Sequence, residues 1–313
     1  SAFLLNRSSD LLRRRDHGGV IFVDLRDIEG ITQVVFNPAV DKAVHEKAHV
    51  LRSEYVIGIR GKVEKRLEGM TNPKLKTGEI EIFVTELKIF NAAETPPFMI
   101  EDNVDVSENI RLKFRHIDLR RRLFQENIIN RHKAAASVRQ YLNSRKFLDI
   151  ETPVLTKSTP EGARDYLVPS RVNPGQFYAL PQSPQLFKQL LMVAGVERYY
   201  QIARCYRDED FRSDRQVEFT QLDLEGSFWD QDDVLNTLEA IAVGVVKEVR
   251  GVDIPRPILR MTYDDAMARY GTDKPDVRFG MEIQDLDEVF AGSEFRAFAG
   301  TLAEGGTVRG FNA

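Results

Sequence analysis

The sequence predicts an α+β protein, with a β-rich N-terminal part and a second part that combines strands with long helices. Three observations support this prediction. Apolar or alternating runs of strand length, separated by turn residues, recur along residues 1–92. The best helical periodicity comes later, at residues 126–146. A length of 313 residues is enough for two domains of ordinary size.

The first part is expected to be a small barrel, assigned to residues 1–92. Its strands are predicted at residues 20–27, 31–36, 54–63, 79–84 and 87–90. A short helix is predicted within residues 40–51. Several strands and one helix in a segment of this length are typical of a Greek-key barrel such as the OB-fold. Another small β-sheet module fits the same pattern.

Residues 93–122 are predicted to be a linker or hinge. Pro96 and Pro97 break the chain, and the acidic segment 101–108 follows them. Six lysine or arginine side chains then fall within residues 111–122. They fit a phosphate-binding surface, and they fit equally well a helix face paired with the acidic segment.

Residues 123–284 are predicted to form a second domain. The expected order is helix 126–146, strand 147–155, helix 183–195, strands 199–207 and 219–228, and helix 230–250. Pro153 would cost a central strand a hydrogen bond, so an edge or an interface is expected there. Ser183 is a good N-cap and Gly195 a good terminator for the third element.

The paired strands 199–207 and 219–228 carry the strongest local indication of a site. Asp223 and Glu225 face one side of their strand, and burying such groups without partners is costly. A polar ligand would explain them, since carboxylates suit an ammonium group and the planar fork of Arg207 suits phosphate or carboxylate. A solvent-facing sheet with cross-strand ion pairs explains the same pattern.

Composition excludes several classes of protein. Hydrophobic residues make up 42% and charged residues 29%, as in soluble globular proteins, and no apolar run reaches membrane-spanning length. The single cysteine, Cys205, excludes an internal disulfide framework, and a cytosolic setting is expected. The five histidines all precede residue 133, so the second domain has no Ser-His-Asp triad of its own and no metal site built from several histidines. No metal ligands are identified in this chain. The net charge of −4 does not by itself indicate a nucleic-acid binder, but a total charge can conceal local basic patches, so this class is not excluded.

Several motifs in a fixed order resemble the bacterial-type aspartyl-tRNA synthetases, which are class II aminoacyl-tRNA synthetases. In the second domain the matching strings are ETP at 151–153, STPEGARD at 158–165, QSPQLFKQ at 182–189, CYRDED at 205–210 and FTQLD at 219–223. RRRDHGG at 13–19 and DLRD at 24–27 resemble the anticodon-binding barrel of the same family. The resemblance extends from about residue 13 almost to residue 313.

The resemblance implies an aspartate–tRNA ligase that converts L-aspartate and ATP to aspartyl-adenylate and then charges tRNA(Asp). It assigns aspartate binding to Glu161, Gln185, Lys188, Arg207 and Asp223. It assigns ATP contacts to Arg207, Asp208, Glu209 and Gln216, with Arg207 as the catalytic residue. Mg²⁺ is expected with ATP, with ligands outside this chain. The alternative is a non-catalytic tRNA-binding fragment or paralogue.

The resemblance also implies partners. Arg15, Phe22 and Gln33 would hold the anticodon, although without the resemblance Phe22 would be assigned to the barrel core. His17 and Gly69 match relatives that also charge tRNA(Asn), which implies a downstream amidotransferase. A homodimer with Pro153 at its interface, no membrane association and a cytoplasmic location complete these expectations.

The sequence also departs from the family. After Asp230 nothing resembles the third class II motif, and residues 285–313 look like the start of an inserted domain that is cut short. Residues 1–12 look too short and too polar to supply the first barrel strand. The chain as given is therefore expected to be catalytically incomplete.

Overall fold

The computed structural model describes residues 2–4, 10–159, 161–210, 212 and 215–312. The chain divides into two compact units, Ser1–His132 and Lys133–Ala313. None of the helices described is both long enough and apolar enough to cross a membrane.

The first unit is built around a closed sheet. Its elements are β1 (Ala2–Leu4), β2 (Asp10–His17), β3 (Val20–Arg26), β4 (Ile31–Phe36), α1 (Lys42–Ala48), β5 (Val56–Lys65) and β6 (Ile80–Asn91). The strand order is β1-β5-β2-β3-β4-β6, and β6 also pairs with β5, which closes the barrel. Its apolar interior includes the fully buried Leu11, Ile21, Val34 and Ile57. This interior explains the alternating patterns of the sequence.

Two predictions about the barrel strands are corrected. The segments 79–84 and 87–90 belong to one twelve-residue strand, β6, because register shifts in its ladder with β5 let a single strand bend along the barrel. The expectation that residues 1–12 supply no strand is wrong, since β1 pairs with β5 and β2 begins at Asp10. The arginines of β2 obscured its alternation, in which Leu11 lies in the core.

The basic cluster of the linker is mostly paired with acidic groups. It lies on α2 (Glu108–Lys113), on α3 (Arg115–Asp118) and in the residues that follow. The buried Asp118 accepts hydrogen bonds from Arg115 at 2.5 Å and from Arg121 at 2.9 Å. Arg121 also donates to the backbone oxygen of Asp102, in the acidic segment. Further pairs join Arg120 to Glu54 and Arg122 to Glu126. Within the described residues these arginines are therefore paired, but with the carboxylates of Asp118, Glu54 and Glu126 and not with those of the acidic segment as expected.

The second unit contains a three-stranded sheet with helices. Its elements are α4 (Arg122–Ser144), which starts in the first unit, β7 (Leu148–Asp149), β8 (Leu167–Pro169), β9 (Phe177–Ala179), α5 (Gln185–Val193), β10 (Arg198–Tyr206), β11 (Glu218–Gly226), α6 (Gln231–Arg250), α7 (Tyr263–Tyr270), β12 (Gln284–Asp285), α8 (Asp287–Phe290), α9 (Arg296–Ala303) and β13 (Arg309–Gly310). The sheet order is β11-β10-β7, with β10 antiparallel to β11. Val138, Leu142 and Tyr200 lie in the core beside this sheet.

Two predictions about this unit are corrected. The strand expected at 147–155 is reduced to β7, since Pro153 has no backbone N–H with which to extend a ladder. Ser183 does not cap α5, because its hydroxyl donates instead to the carboxylate of Glu161 at 2.6 Å. Gly195 does follow the end of α5, with a φ of 90° that favours glycine.

Candidate functional site

The polar row predicted on β11 lies beneath a helix. The amine of Lys188, on α5, is 2.9 Å from Asp223 Oδ1 and 3.2 Å from Glu225 Oε2. The side chains of Lys188 and Asp223 are only 12% and 10% exposed. A solvent-facing sheet with surface ion pairs is therefore excluded for this pair.

The ion pair with Lys188 involves only one of the two carboxylate oxygens of Asp223. Asp223 Oδ2 is buried and has no hydrogen-bond partner in the described part of the chain. Burial lowers the pKa of Lys188, but the hydrogen bonds and charges of Asp223 and Glu225 outweigh burial and leave this pKa raised. The amine is therefore protonated at neutral pH. An unpaired buried carboxylate oxygen is costly, and it is available to a donor such as an ammonium group.

The buried thiol of Cys205 is influenced by the charges of three predicted site residues. It contacts Gln221 Oε1 at 3.3 Å. Burial raises the pKa of Cys205 to about 11, with Arg207 lowering it and the charges of Asp223 and Glu161 raising it. The charges of these three groups therefore act on the same thiol. Because the thiol stays protonated at neutral pH, it is not a nucleophile there.

Arg207 presents a guanidinium group available to anions. It follows directly after β10, where its backbone N–H donates to Val217 O at 2.9 Å. Its guanidinium carbon lies 5.0 Å from the centroid of the Phe219 ring. Within the described residues this guanidinium makes no ion pair. Stacking on Phe219 orients the positive fork without using its N–H donors.

Glu161 is held in place although it lies in a loop. Its two carboxylate oxygens accept hydrogen bonds from Thr159 at 3.1 Å and from Ser183 at 2.6 Å. Sequence reasoning missed this role of Ser183, because a serine directly before a helix is normally read as an N-cap.

The residues predicted to contact ATP are only partly brought together. Asp208 and Glu209 line a polar cleft of about 340 Å³. The remaining lining residues are Gly162, Ala163, Arg164, Asp210, Arg212 and Arg215. Gln216 is exposed and does not line this cleft. Gln185 is the first residue of α5, one helical turn before Lys188.

The outer face of the barrel gathers the three predicted anticodon residues. Arg15 donates to Asp24 at 2.8 Å and to Gln33 at 3.3 Å, and Gln33 donates to Glu81 at 2.9 Å. In the strand register Phe22 lies opposite Arg15. Asp24 and Glu81 were not predicted, although the alternation of β3 places Asp24 on the same face as Phe22.

Phe22 does not belong to the barrel core. Its neighbours Ile21, Val23 and Leu25 are buried, whereas Phe22 and Asp24 are only partly buried on the opposite face of β3. The ring is therefore accessible for contact with another molecule.

Comparison with known proteins identifies the family. A family model described as tRNA synthetases class II (D, K and N) matches residues 107–296, which is more than half of the chain. The chain belongs to this family. A model of the OB-fold nucleic acid binding domain matches residues 7–90 of this class II synthetase chain. The predicted fold class, an OB-fold barrel followed by a class II synthetase domain, is confirmed.

Curated relatives of this class II synthetase chain are longer than it is. The aspartate–tRNA(Asp/Asn) ligase of Desulfosudis oleivorans is 63% identical over 301 residues, which cover 96% of this chain and 50% of the relative. The ligase of the same name from Desulfatibacillum aliphaticivorans is 60% identical over 301 residues, with the same two coverages. The chain therefore spans about half the length of these relatives.

Solved structures support the fold of this class II synthetase chain. The asparaginyl-tRNA synthetase of Entamoeba histolytica has a TM-score of 0.69 and 25% identity, covering 82% of this chain and 60% of its own. The asparaginyl-tRNA synthetase of Pyrococcus horikoshii, complexed with asparaginyl-adenylate, has a TM-score of 0.67 and 23% identity. That match covers 78% of this chain and 54% of the other.

His17 and Gly69 are both exposed on the barrel unit. His17 is the last residue of β2, and Gly69 lies between β5 and β6. Gly69 has a φ of 78°, and a Cβ built there meets nothing within 4 Å. Backbone conformation is therefore a sufficient reason for glycine at position 69.

Proposed function

We propose that the full-length protein, meaning this chain with any sequence that continues it, is an aspartate–tRNA ligase. Aspartate needs a cation for its side-chain carboxylate and an anion for its ammonium group. The buried pair of Lys188 and Asp223, with Asp223 Oδ2 unpaired, offers both and is the observation that carries this proposal. The names of the curated relatives support the same substrate.

The first step is the formation of aspartyl-adenylate. An oxygen of the α-carboxylate of aspartate attacks the α-phosphorus of ATP, and pyrophosphate leaves with the bonding electrons. Arg207 would bind the α-carboxylate and the α-phosphate together, which reduces their repulsion and stabilises the charge of the transition state. Glu161, Gln185 and Asp223 would position aspartate, and Asp208, Glu209 and Gln216 would contact ATP. The step requires no protein nucleophile.

Class II synthetases generally use Mg²⁺ with ATP. Within the described residues, no group of three His, Cys, Asp or Glu side chains is arranged to hold a metal ion.

Aspartate-dependent exchange of pyrophosphate into ATP tests the proposal. We expect exchange with the full-length protein, and little or none with residues 1–313 alone if residues beyond them complete the site. The second candidate is a non-catalytic tRNA-binding module, which the polar anticodon face of the barrel favours. Binding of tRNA by the full-length protein without any exchange would establish that alternative.

We also propose that the barrel reads the anticodon and that the protein charges tRNA(Asn) as well as tRNA(Asp). Phe22 would stack on a base, and Gln33 and Arg15 would contact base edges, in the usual mode for single-stranded loops. Stacking contributes roughly 1–3 kcal/mol per base. An amidotransferase would then convert the product on tRNA(Asn).

The assay for tRNA choice is aspartylation of both purified tRNAs by the full-length protein. We expect comparable kcat/KM values for the two tRNAs, and His17→Leu should lower the value for tRNA(Asn). A preference of several orders of magnitude for tRNA(Asp) would refute relaxed recognition. Phe22→Ala tests the anticodon role of that ring. Wild-type kcat/KM values for both tRNAs in this variant would refute the role.

A cytoplasmic homodimer is the proposed state of the full-length protein. Pro153 is exposed, and the adjacent Val154 and Leu155 are also exposed in the single chain. Burying these side chains against a second copy would remove apolar surface from water. Sedimentation at micromolar concentration should give a dimer, and a monomer would contradict the interface. Cell fractionation tests the location.

The proposed division of the chain is residues 1–92 for anticodon binding, 93–122 for the hinge, 123–284 for catalysis and 285–313 for the start of an inserted domain. The family matches at 7–90 and 107–296 support the first and third parts. Photo-crosslinks from an anticodon base should fall within residues 1–92, and crosslinks confined to residues 123–284 would contradict the division.

A further inference from the structure

The loop of residues 161–165, which carries Glu161, is held by a buried glutamine. Gln182, three residues before α5, is 2% exposed. Its side-chain oxygen accepts from Ala163 N–H at 3.0 Å, and its side-chain nitrogen donates to Ala163 O at 2.8 Å. The same nitrogen donates to Asp165 Oδ1 at 2.5 Å. One side chain thus satisfies both backbone polar groups of a loop residue.

Asp165, at the end of this loop, also contacts Ser158, which precedes the loop. The hydroxyl of Ser158 donates to Asp165 Oδ2 at 2.5 Å. Burial raises the pKa of Asp165, but hydrogen bonds from Gln182, Ser158 and the backbone of Thr159 outweigh it and leave the pKa lowered. The carboxylate is therefore ionised at neutral pH and accepts all of these bonds. The loop is held from both of its ends.

The adjacent residues Gln182 and Ser183 hold different parts of this loop. Ser183 binds the carboxylate of Glu161, while its neighbour Gln182 binds the backbone two residues further along, at Ala163. Ala163 also lines the polar cleft with Asp208 and Glu209. Displacement of the loop would move Glu161 and one wall of this cleft together.

We propose that Gln182 is a positioning residue that holds the 161–165 loop and thereby presents Glu161 to the ammonium group of the substrate. The effect on substrate rests on the proposed function of Glu161, whereas the effect on the loop does not. A carboxamide suits this position because it offers one donor edge and one acceptor edge, like another peptide group. A carboxylate has no donor and would face the charge of Asp165, and an apolar side chain would leave Ala163 unpaired.

Two variants of Gln182 separate these effects. Gln182→Glu removes the donors at nearly constant shape, and Gln182→Met removes all polar contacts. The matched control is Gln189→Glu, which introduces the same charge on the exposed surface of α5. Ser158→Ala, at an exposed residue, removes only the bond to Asp165 and keeps the test available if both Gln182 variants fail to fold.

The first measurement is the rate at which trypsin cleaves the natively folded protein after Arg164. The fragments are assigned by mass spectrometry. Loss of two or three hydrogen bonds should speed this cleavage by about ten-fold or more in both Gln182 variants, and by about two- to three-fold in Ser158→Ala. The Gln189→Glu control should match the wild type. An unchanged rate at this bond in the folded Gln182 variants, or in Ser158→Ala if those do not fold, would overturn the proposal.

The second measurement is the KM for aspartate in pyrophosphate exchange by the full-length protein. We expect a rise of about ten-fold in both Gln182 variants, with the KM for ATP changed by less than about two-fold. Faster cleavage with an unchanged KM for aspartate would overturn the link from the loop to the substrate and leave the loop contact standing. Absence of exchange in the wild type would instead contradict the proposed function.

The pH dependence of the cleavage rate should distinguish loss of hydrogen bonds from simple loss of packing. In Gln182→Glu the introduced carboxyl would be buried beside Asp165, so its pKa should lie above the ordinary value. Once protonated, it regains a donor for Ala163. The cleavage rate relative to wild type should therefore fall as the pH is lowered in Gln182→Glu and stay constant in Gln182→Met. A constant ratio in both variants would contradict the hydrogen-bonding role.

Discussion

Replacement of Arg207 by lysine is expected to lower the kcat/KM of aspartate-dependent pyrophosphate exchange by about ten- to hundred-fold. Each charge-assisted hydrogen bond contributes roughly 1.5–3 kcal/mol, and the point charge of lysine cannot bridge two anions as a planar fork does. Lysine would also lose the contact of the guanidinium with the Phe219 ring. The loss should appear with both substrates, because in the proposed mechanism one group binds both.

The matched control for this change is Arg204→Lys on the same strand. Arg204 is exposed and paired with Glu218 at 2.5 Å, so its replacement should leave exchange unchanged. Both variants should melt at the wild-type temperature. A wild-type rate of pyrophosphate exchange in Arg207→Lys would refute the assignment of Arg207 to the site.

Replacement of Lys188 by methionine is expected to abolish the use of aspartate while ATP binding persists. Methionine keeps the length of the side chain but removes the cation that would bind the substrate carboxylate. In the structure Lys188 is held by Asp223 and by the more exposed Glu225, so the substrate carboxylate would displace Glu225 and keep Asp223. Without the amine, two carboxylates face an incoming anion.

The measurements for Lys188→Met are exchange against aspartate concentration and ATP binding by calorimetry. We expect a loss of more than about a hundred-fold in kcat/KM for aspartate, with ATP affinity within about two-fold of wild type. Lys247→Met, at an exposed residue of α6, provides the control. Equal losses toward both ligands would indicate misfolding, and retained use of aspartate would refute the assignment of Lys188.

The outer face of the barrel, which carries Phe22, shows how much a strand pattern can predict. The alternation of β3 was visible in the sequence and correctly separates Ile21 and Val23 from Phe22 and Asp24. Composition alone could not say which face is the interior, because an aromatic ring fits either side of a strand. Closure of the sheet through the pairing of β5 with β6 decided that Phe22 lies outside.

The sequence by itself determined the family, the order of the two folds and the residue types of the candidate site. Motifs such as QSPQLFKQ and CYRDED are read directly, and helical spacing already places Gln185 beside Lys188. Local periodicity predicts neighbours only within one element. It therefore left open whether the carboxylates of β11 face solvent and which partners the basic cluster contacts.

Only the tertiary structure decided those questions. Lys188 and Asp223 are 35 residues apart, and their contact depends on the packing of α5 against the β10–β11 sheet. Ser183 and Glu161 are 22 residues apart, and the hydroxyl that could have capped a helix binds a carboxylate instead. Burial makes an unpaired charge costly, so the folded chain pairs such groups with whichever partners its topology brings near, and sequence spacing does not reveal which these are.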